Sequence, residues 1–290
     1  MPHLQLARLV KWLVCFLVLA STALAESVPK TVHFMSEDGK TRLVGYLFEP
    51  GVRPSRPVPA IVLLHGRAGP YSSLAHGRYT AETLSKRHKA WGEHWASRGY
   101  MALLVDSFGP RGFPQGFEKG SYDERPAEVS EQTVRPLDAY GALRYLRTRK
   151  DVQPDRIGVQ GWSNGAMTVL VTMSRKAPGI DIPSRENGFR AALAEYPGCG
   201  MEAIKDDYRN YAPLLMMVAS DDEEVSPKIC EKFAEKARSA GNRLELVVYE
   251  GAEHNFDDPG KKKQSKRANR EATEETFRRA TKFFEEQLER

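Results

Sequence analysis

The sequence has few cysteines, no repeat, no long apolar run and no strong excess of charge. Three cysteines stand among 290 residues, and Cys15 sits inside an N-terminal apolar stretch, which leaves Cys199 and Cys230 for the body of the chain. The longest apolar stretch, residues 12 to 25, would make a helix of about 21 Å, short of a hydrocarbon core of about 30 Å. Lysine and arginine total 43 against 38 acidic residues, a net charge of +5 that says little about partners. Neither a phosphate-binding loop nor a dinucleotide fingerprint is present. His88 and His94 lie six apart on a helical pattern, so they do not share a face as zinc ligands would. No metal and no cofactor are expected. The basic run Lys261 to Arg267 lacks interleaved aromatics and reads as a solvated loop before the last helix, with no nucleic-acid partner.

Residues 1–25 have the layout of an export leader. Arg8 and Lys11 precede the apolar run, and Ala23-Leu24-Ala25 offers a small-residue cleavage site before Glu26. Cleavage would remove two positive charges and no negative ones, taking +5 to +3. The expectation is an exported protein, periplasmic or secreted, with no stable membrane insertion after leader removal. Residues 26–290 are then one domain of 265 residues, without a linker.

The organising stretch is Gly161-Trp162-Ser163-Asn164-Gly165. An apolar strand, Ile157 to Val159, leads in and the helical run from Ala166 to Leu170 leads out, the context of a nucleophile elbow. A serine on so tight a strand-to-helix turn needs neighbours without side chains, which Gly161 and Gly165 supply.

Strand and helix signals alternate around it. Thr31 to Phe34 and Thr41 to Phe48 read as a hairpin about Glu37-Asp38-Gly39-Lys40. Continuous apolar runs at 59–64, 101–105, 191–194, 214–218 and 244–248 read as strands buried on both faces. Leu84, His88, Trp91 and Trp95 form one helical stripe; Ala139, Ala142, Leu143 and Leu146 form another, and Phe277, Ala280, Phe284 and Leu288 a third. This alternation predicts an α/β fold, a mostly parallel sheet with helices on both faces and functional groups at the carboxyl ends of the strands.

A serine nucleophile needs a base, and the base an acid to orient it. In folds with this elbow the order is serine, acid, histidine. Of seven histidines only His254 follows Ser163, in a loop past the 244–248 strand. The acid belongs to the loop after the 214–218 strand, Asp221-Asp222-Glu223-Glu224, where periodicity does not choose between Asp221 and Asp222; most of the run reads as a solvated helix start. Oxyanion donors are expected from the N–H of Asn164 and from the loop His65-Gly66-Arg67-Ala68, at Arg67 or else Ala68. His65, preceding the serine, reads as a brace for that loop. The long excursion 107–133, rich in glycine and proline, lies beside the expected mouth, where Arg67 and Arg111 would favour an anionic substrate.

The elbow, Asp222 with Val225 and Pro227, and His254-Asn255-Phe256 together resemble the dienelactone hydrolase family of α/β-hydrolases. Residues 106–112 and 196–199 are similar to a secreted branch of it. The resemblance covers nearly all of residues 26–290. It implies an α/β-hydrolase fold with an eight-stranded sheet, Ser163 as nucleophile, His254 as base and Asp222 rather than Asp221 as acid. The family's namesakes use a cysteine nucleophile on a lactone, whereas Ser163 points to a serine hydrolase that cleaves an ester or lactone of a small molecule through an acyl-enzyme. A peptidase or acyltransferase using the same groups, or a non-catalytic binding protein on this fold, are the alternatives. Cys199 and Cys230 follow strands that, as neighbours, would place both at one end of the sheet, and an exported chain meets oxidising conditions. A Cys199–Cys230 disulfide is expected.

Overall fold

The computed structural model describes residues 28–288 apart from Arg53. The leader expected at residues 1–25 lies outside the described residues. Eight strands form one sheet: β1 (Lys30–Met35), β2 (Arg42–Phe48), β3 (Val58–Leu64), β4 (Met101–Asp106), β5 (Val152–Trp162), β6 (Ala192–Glu195), β7 (Leu214–Ala219) and β8 (Leu244–Tyr249). Their spatial order is β1-β2-β4-β3-β5-β6-β7-β8. β1 pairs antiparallel with β2 and β2 with β4; all later pairings are parallel.

The helices are α1 (Lys86–Ser97), α2 (Arg135–Thr148), α3 (Asn164–Thr172), α4 (Glu202–Lys205), α5 (Pro227–Ser239), α6 (Lys261–Gln264) and α7 (Arg267–Leu288). Successive strand residues point to opposite faces, and β3 shows it plainly. Val62 and Leu64 join a core with Ala139 and Leu143 of α2, Val169 of α3 and Ala234 of α5. Ile61 and Leu63 join a second core with Trp91 and Trp95 of α1 and Ala280 and Phe284 of α7. With apolar layers on both sides, the inner strands carry unbroken apolar runs rather than an alternation.

Two local expectations are corrected, and a third segment is defined more closely. Lys261 to Gln264 form the helical turn α6, and Lys263 and Lys266 reach Glu253 at 3.0 and 3.1 Å, so the basic run is pinned rather than loose. Leu84 is buried but precedes α1, whose first turn is capped by Ser85 Oγ accepting the His88 N–H. The excursion 107–133 is ordered by three short 3-10 turns, Gly109–Arg111, Tyr122–Glu124 and Ala127–Val129, around buried Phe108.

Candidate active site

The parallel strands end on one rim, and β5, β7 and β8 each deliver a side chain there. β5 runs directly into α3 at Ser163, whose φ of 52° and ψ of −116° place a non-glycine residue in a sparsely populated region. Two main-chain bonds hold that turn: Ser163 N–H donates to Glu195 O at 2.9 Å and Met167 N–H to Ser163 O at 2.9 Å. The flanking glycines are needed for room. A Cβ on Gly161 would meet the Gly165 carbonyl, and one on Gly165 would meet the main-chain oxygens of Leu64 and His65.

Beyond β8, His254 is buried, with Nε2 3.0 Å from Ser163 Oγ and Nδ1 2.8 Å from Asp222 Oδ2. A carboxylate accepts, so Nδ1 carries the proton and Nε2 is left to accept from the serine hydroxyl. Asp222 is fixed in turn, its Oδ1 accepting the N–H groups of Glu224 and Val225, both at 2.9 Å. The choice left open in the sequence thus falls on Asp222; Asp221 faces outward and pairs with Lys266 at 3.2 Å. The Tyr196 ring stands edge-on to the imidazole, 4.9 Å between centroids. Tyr196 also has a positive φ, 41°, and donates its hydroxyl to buried Asp257 at 2.5 Å. A hydroxyl bonded to an imidazole that a carboxylate orients is an arrangement able to generate an oxygen nucleophile.

The loop after β3 crosses over the elbow: a Cβ on Gly66 would stand 3.3 Å from Trp162 O and 3.6 Å from Ser163 Cβ. Asn164 opens α3, where the first N–H groups have no acceptor within the helix. One guanidinium ties these two segments together. Arg135, fully buried, donates to the Asn164 side-chain oxygen and, at 2.7 Å, to His65 O, with its plane 5.0 Å from the Phe108 ring centroid. Burial lowers its pKa to about 10, which leaves it charged at neutral pH. Asn164 Nδ2 donates onward to Glu131 at 3.0 Å. His65 accepts the Ser107 N–H at Nε2 (3.3 Å) and donates from Nδ1 to Gly66 O (2.7 Å), the bracing role expected of it. Burial, then the Arg135 charge, hold its pKa well below the ordinary histidine value.

Three charged residues depart from expectation. Arg111 does not face the mouth: its guanidinium is buried against Asp138 at 2.8 Å and Asp38 at 3.1 Å, so it is structural. Glu223 and Glu224, read as a solvated helix start, both belong to the site. Glu223 accepts the His254 N–H at 3.1 Å, and Glu224 takes the Arg67 side chain through Nε at 3.1 Å and an η-nitrogen at 3.0 Å. Burial works to raise the Glu224 pKa, but Arg67, with help from His254 and Lys119, brings it below the ordinary carboxylate range. No sequence signal marked Arg135, and Tyr196 and Glu224 stood in stretches singled out without these roles, because each acts through a partner brought close only by the crossovers.

Cys199, after β6, and Cys230, in α5, are joined by a disulfide. It fixes the segment 198–201 that walls one side of the site. Among the described residues no cluster of three or more His, Cys, Asp or Glu could hold a metal ion, and no helix is long and apolar enough to cross a membrane.

The strand order, the elbow between β5 and α3 and the rim of loops define an α/β-hydrolase fold. Within that class the chain belongs to the dienelactone hydrolase family, whose model matches residues 44–288; it is a hydrolase. It is 24% identical over 161 residues to a Bradyrhizobium protein named "Probable 2-oxo-3-(5-oxofuran-2-ylidene)propanoate lactonase", a match covering 56% of this chain and 64% of that one. Human dipeptidyl peptidase 8 is 27% identical over 171 residues, 58% of this chain and 16% of that protein. The chain therefore spans less than two thirds of the length of these relatives. Among solved structures, the propionate-bound esterase Est2 of Thermogutta terrifontis superposes with a TM-score of 0.61 at 22% identity, covering 90% of this chain and 95% of that one.

Proposed function

We propose that the protein is a serine hydrolase that cleaves an ester or lactone bond of a small molecule through an acyl-enzyme on Ser163. The observation that carries this reading is the continuous chain from Ser163 Oγ through His254 to Asp222, at 3.0 and 2.8 Å. In acylation Oγ attacks the carbonyl carbon as its proton passes to His254 Nε2. The carbonyl oxygen, now carrying charge, is held by the peptide N–H groups of Asn164 and Arg67. His254 then gives the proton to the departing alkoxide as the C–O bond breaks, and Asp222 stabilises the imidazolium between those events. Water repeats the sequence on the acyl-enzyme and frees Ser163. We further propose that the chain is exported after removal of residues 1–25, a reading supported by their pattern and by the disulfide.

Hydrolysis of short p-nitrophenyl esters by Ser163→Ala, His254→Ala and Asp222→Asn tests the assignment. Loss of Ser163 or His254 is expected to lower kcat by about three orders of magnitude or more, and Asp222→Asn by a comparable factor. Ser163→Ala with turnover close to wild type would refute it. The likeness to dipeptidyl peptidase 8 favours one second reading, a peptidase with the same groups; cleavage of dipeptidyl amides in preference to esters would select it.

A further inference from the structure

Two clefts share Ser163 in their walls. One, about 400 Å³, is lined by Ser163, Asn164, Met167, Gly198 and Val225 and also by the charged side chains of Lys119, Arg125, Glu223 and Glu224. The other, about 450 Å³, is lined by His254, Asn255, Ser73 and Lys86 as well as Ser163. Arg67, clamped by Glu224, borders both and divides them. The imidazole lines the second cleft, and its Nε2 also lies 3.8 Å from Glu224, which lines the first.

Their surfaces differ in chemistry. Beside Ser163 the first has an apolar floor: a Cβ on Gly198 would lie 3.4 Å from the Met167 sulfur and 3.6 Å from a Val225 methyl, so these three are already packed together. The disulfide at Cys199 holds this floor in place. The second carries polar groups with spare capacity. Among the described residues, the side chains of Ser73, Lys86 and Asn255 have no hydrogen-bond partner in the protein. Asn255, next to His254, has a φ of 59°, a conformation that asparagine adopts more readily than most non-glycine residues.

The proton path allocates the two halves of an ester. The group that leaves must receive its proton from His254 Nε2, so its oxygen lies against the imidazole, whereas the acyl carbon stays bonded to Oγ. We propose that the Met167–Gly198–Val225 cleft takes a small apolar acyl group and that the Asn255 cleft takes the alcohol, one bearing several hydroxyls, such as glycerol or a monosaccharide. This division rests on the acyl-enzyme reading above. Each hydroxyl bound by a spare donor or acceptor favours the polyol by about three- to tenfold over an alcohol lacking it. In deacylation, water or a second alcohol enters by the same cleft and attacks the acyl carbon. Its proton goes to His254 and then to Ser163 Oγ as the acyl–Oγ bond breaks.

Acceptor competition tests this with matched three-carbon alcohols. The purified protein is acylated from p-nitrophenyl acetate in the presence of glycerol or 1-propanol at equal concentration, and the ratio of acetyl transfer to hydrolysis is measured. The expected result is a transfer ratio about fivefold or more higher for glycerol, reduced several-fold in Asn255→Ala. Gly198→Val is expected to lower kcat/KM for butyrate relative to acetate esters while keeping the glycerol-to-propanol ratio. Equal partition to the two alcohols by the wild-type protein would overturn the division, with no variant required; so would a Gly198→Val change that falls on the alcohol instead of the acyl group. Absence of any acetyl-enzyme on Ser163 would overturn the acyl-enzyme reading and the division with it. An acetyl-enzyme that does not discriminate between the alcohols would remove the division alone.

Discussion

Replacing Arg135 by methionine should damage the reaction without touching any reacting atom. The side chain is wholly buried and bonds both Asn164 and His65. Methionine keeps most of the volume but leaves two acceptors unpaired and removes positive charge from beside Glu131 and Asp138, which are 5% and 0% exposed. Hydrogen bonds to a charged group contribute about 1.5 to 3 kcal/mol each, and breaking a buried charge cluster from one side costs about 3 to 5 kcal/mol. For a chain of this size that lowers the unfolding midpoint by about 10 °C, so a folded protein remains to be assayed. Losing one oxyanion donor costs about a hundred- to a thousandfold in kcat. Arg135→Met loosens two segments without deleting a donor, so a fall in kcat of about ten- to a hundredfold is expected, with KM for a short ester nearly unchanged. Arg135→Lys can restore one of the two bonds and should recover part of kcat. The assay is steady-state ester hydrolysis well below each variant's melting temperature. A folded Arg135→Met protein with kcat within about twofold of wild type would refute the reasoning.

Stability should fall as the pH drops below about 6.5. Burial, followed by the charge of Arg135 for His65 and of Arg87 for His88, lowers both imidazole pKa values, His88 to about 3. Both folded values lie below the unfolded one, so between them the unfolded chain binds more protons; the contribution is full above pH about 6.5 and lost on acidification. Each such group contributes up to about 1.4 kcal/mol per pH unit between pH 6 and pH 4; His94, lowered to about 3 by burial, acts in the same direction, and His88→Asn should lower the slope by up to about 1.4 kcal/mol per pH unit in denaturant titrations. An unchanged slope in that variant would count against the buried neutral His88. Reduction of Cys199–Cys230, which closes a loop with a sequence separation of 31, should cost about 3 to 4 kcal/mol in the chain-entropy model. Because the bond also holds residues 198–201, KM should rise more than kcat falls, and identical unfolding curves with and without reductant would contradict the stabilising role.

Much of the architecture was legible because its causes are local. Apolar runs such as Pro59 to Leu64 and Leu214 to Val218 mark strands covered on both faces, and Gly161 and Gly165 mark a turn with no space for a Cβ. The order of Ser163, the acidic run and His254 was visible as spacing along the chain. Which member of that run meets the histidine is set by the three-dimensional path, and the resemblance rather than periodicity pointed to Asp222. Side-chain partnerships across crossovers left no trace of this kind. Arg135 looks like any arginine at a helix start, and nothing around Arg111 shows that Asp38 and Asp138 enclose it. A row of four carboxylates suggests solvation until Arg67 and the His254 N–H are seen to be their partners.

The central claim is that Ser163 is an activated nucleophile. The most direct measurement is reaction of the purified protein with a fluorophosphonate, with the adduct located by peptide mass spectrometry and Ser163→Ala alongside. One adduct per chain is expected, on Ser163, absent from the variant and formed far more slowly when His254 is replaced. A folded wild-type protein that takes up no label at Ser163, or labelling that persists in Ser163→Ala at the same rate, would contradict it.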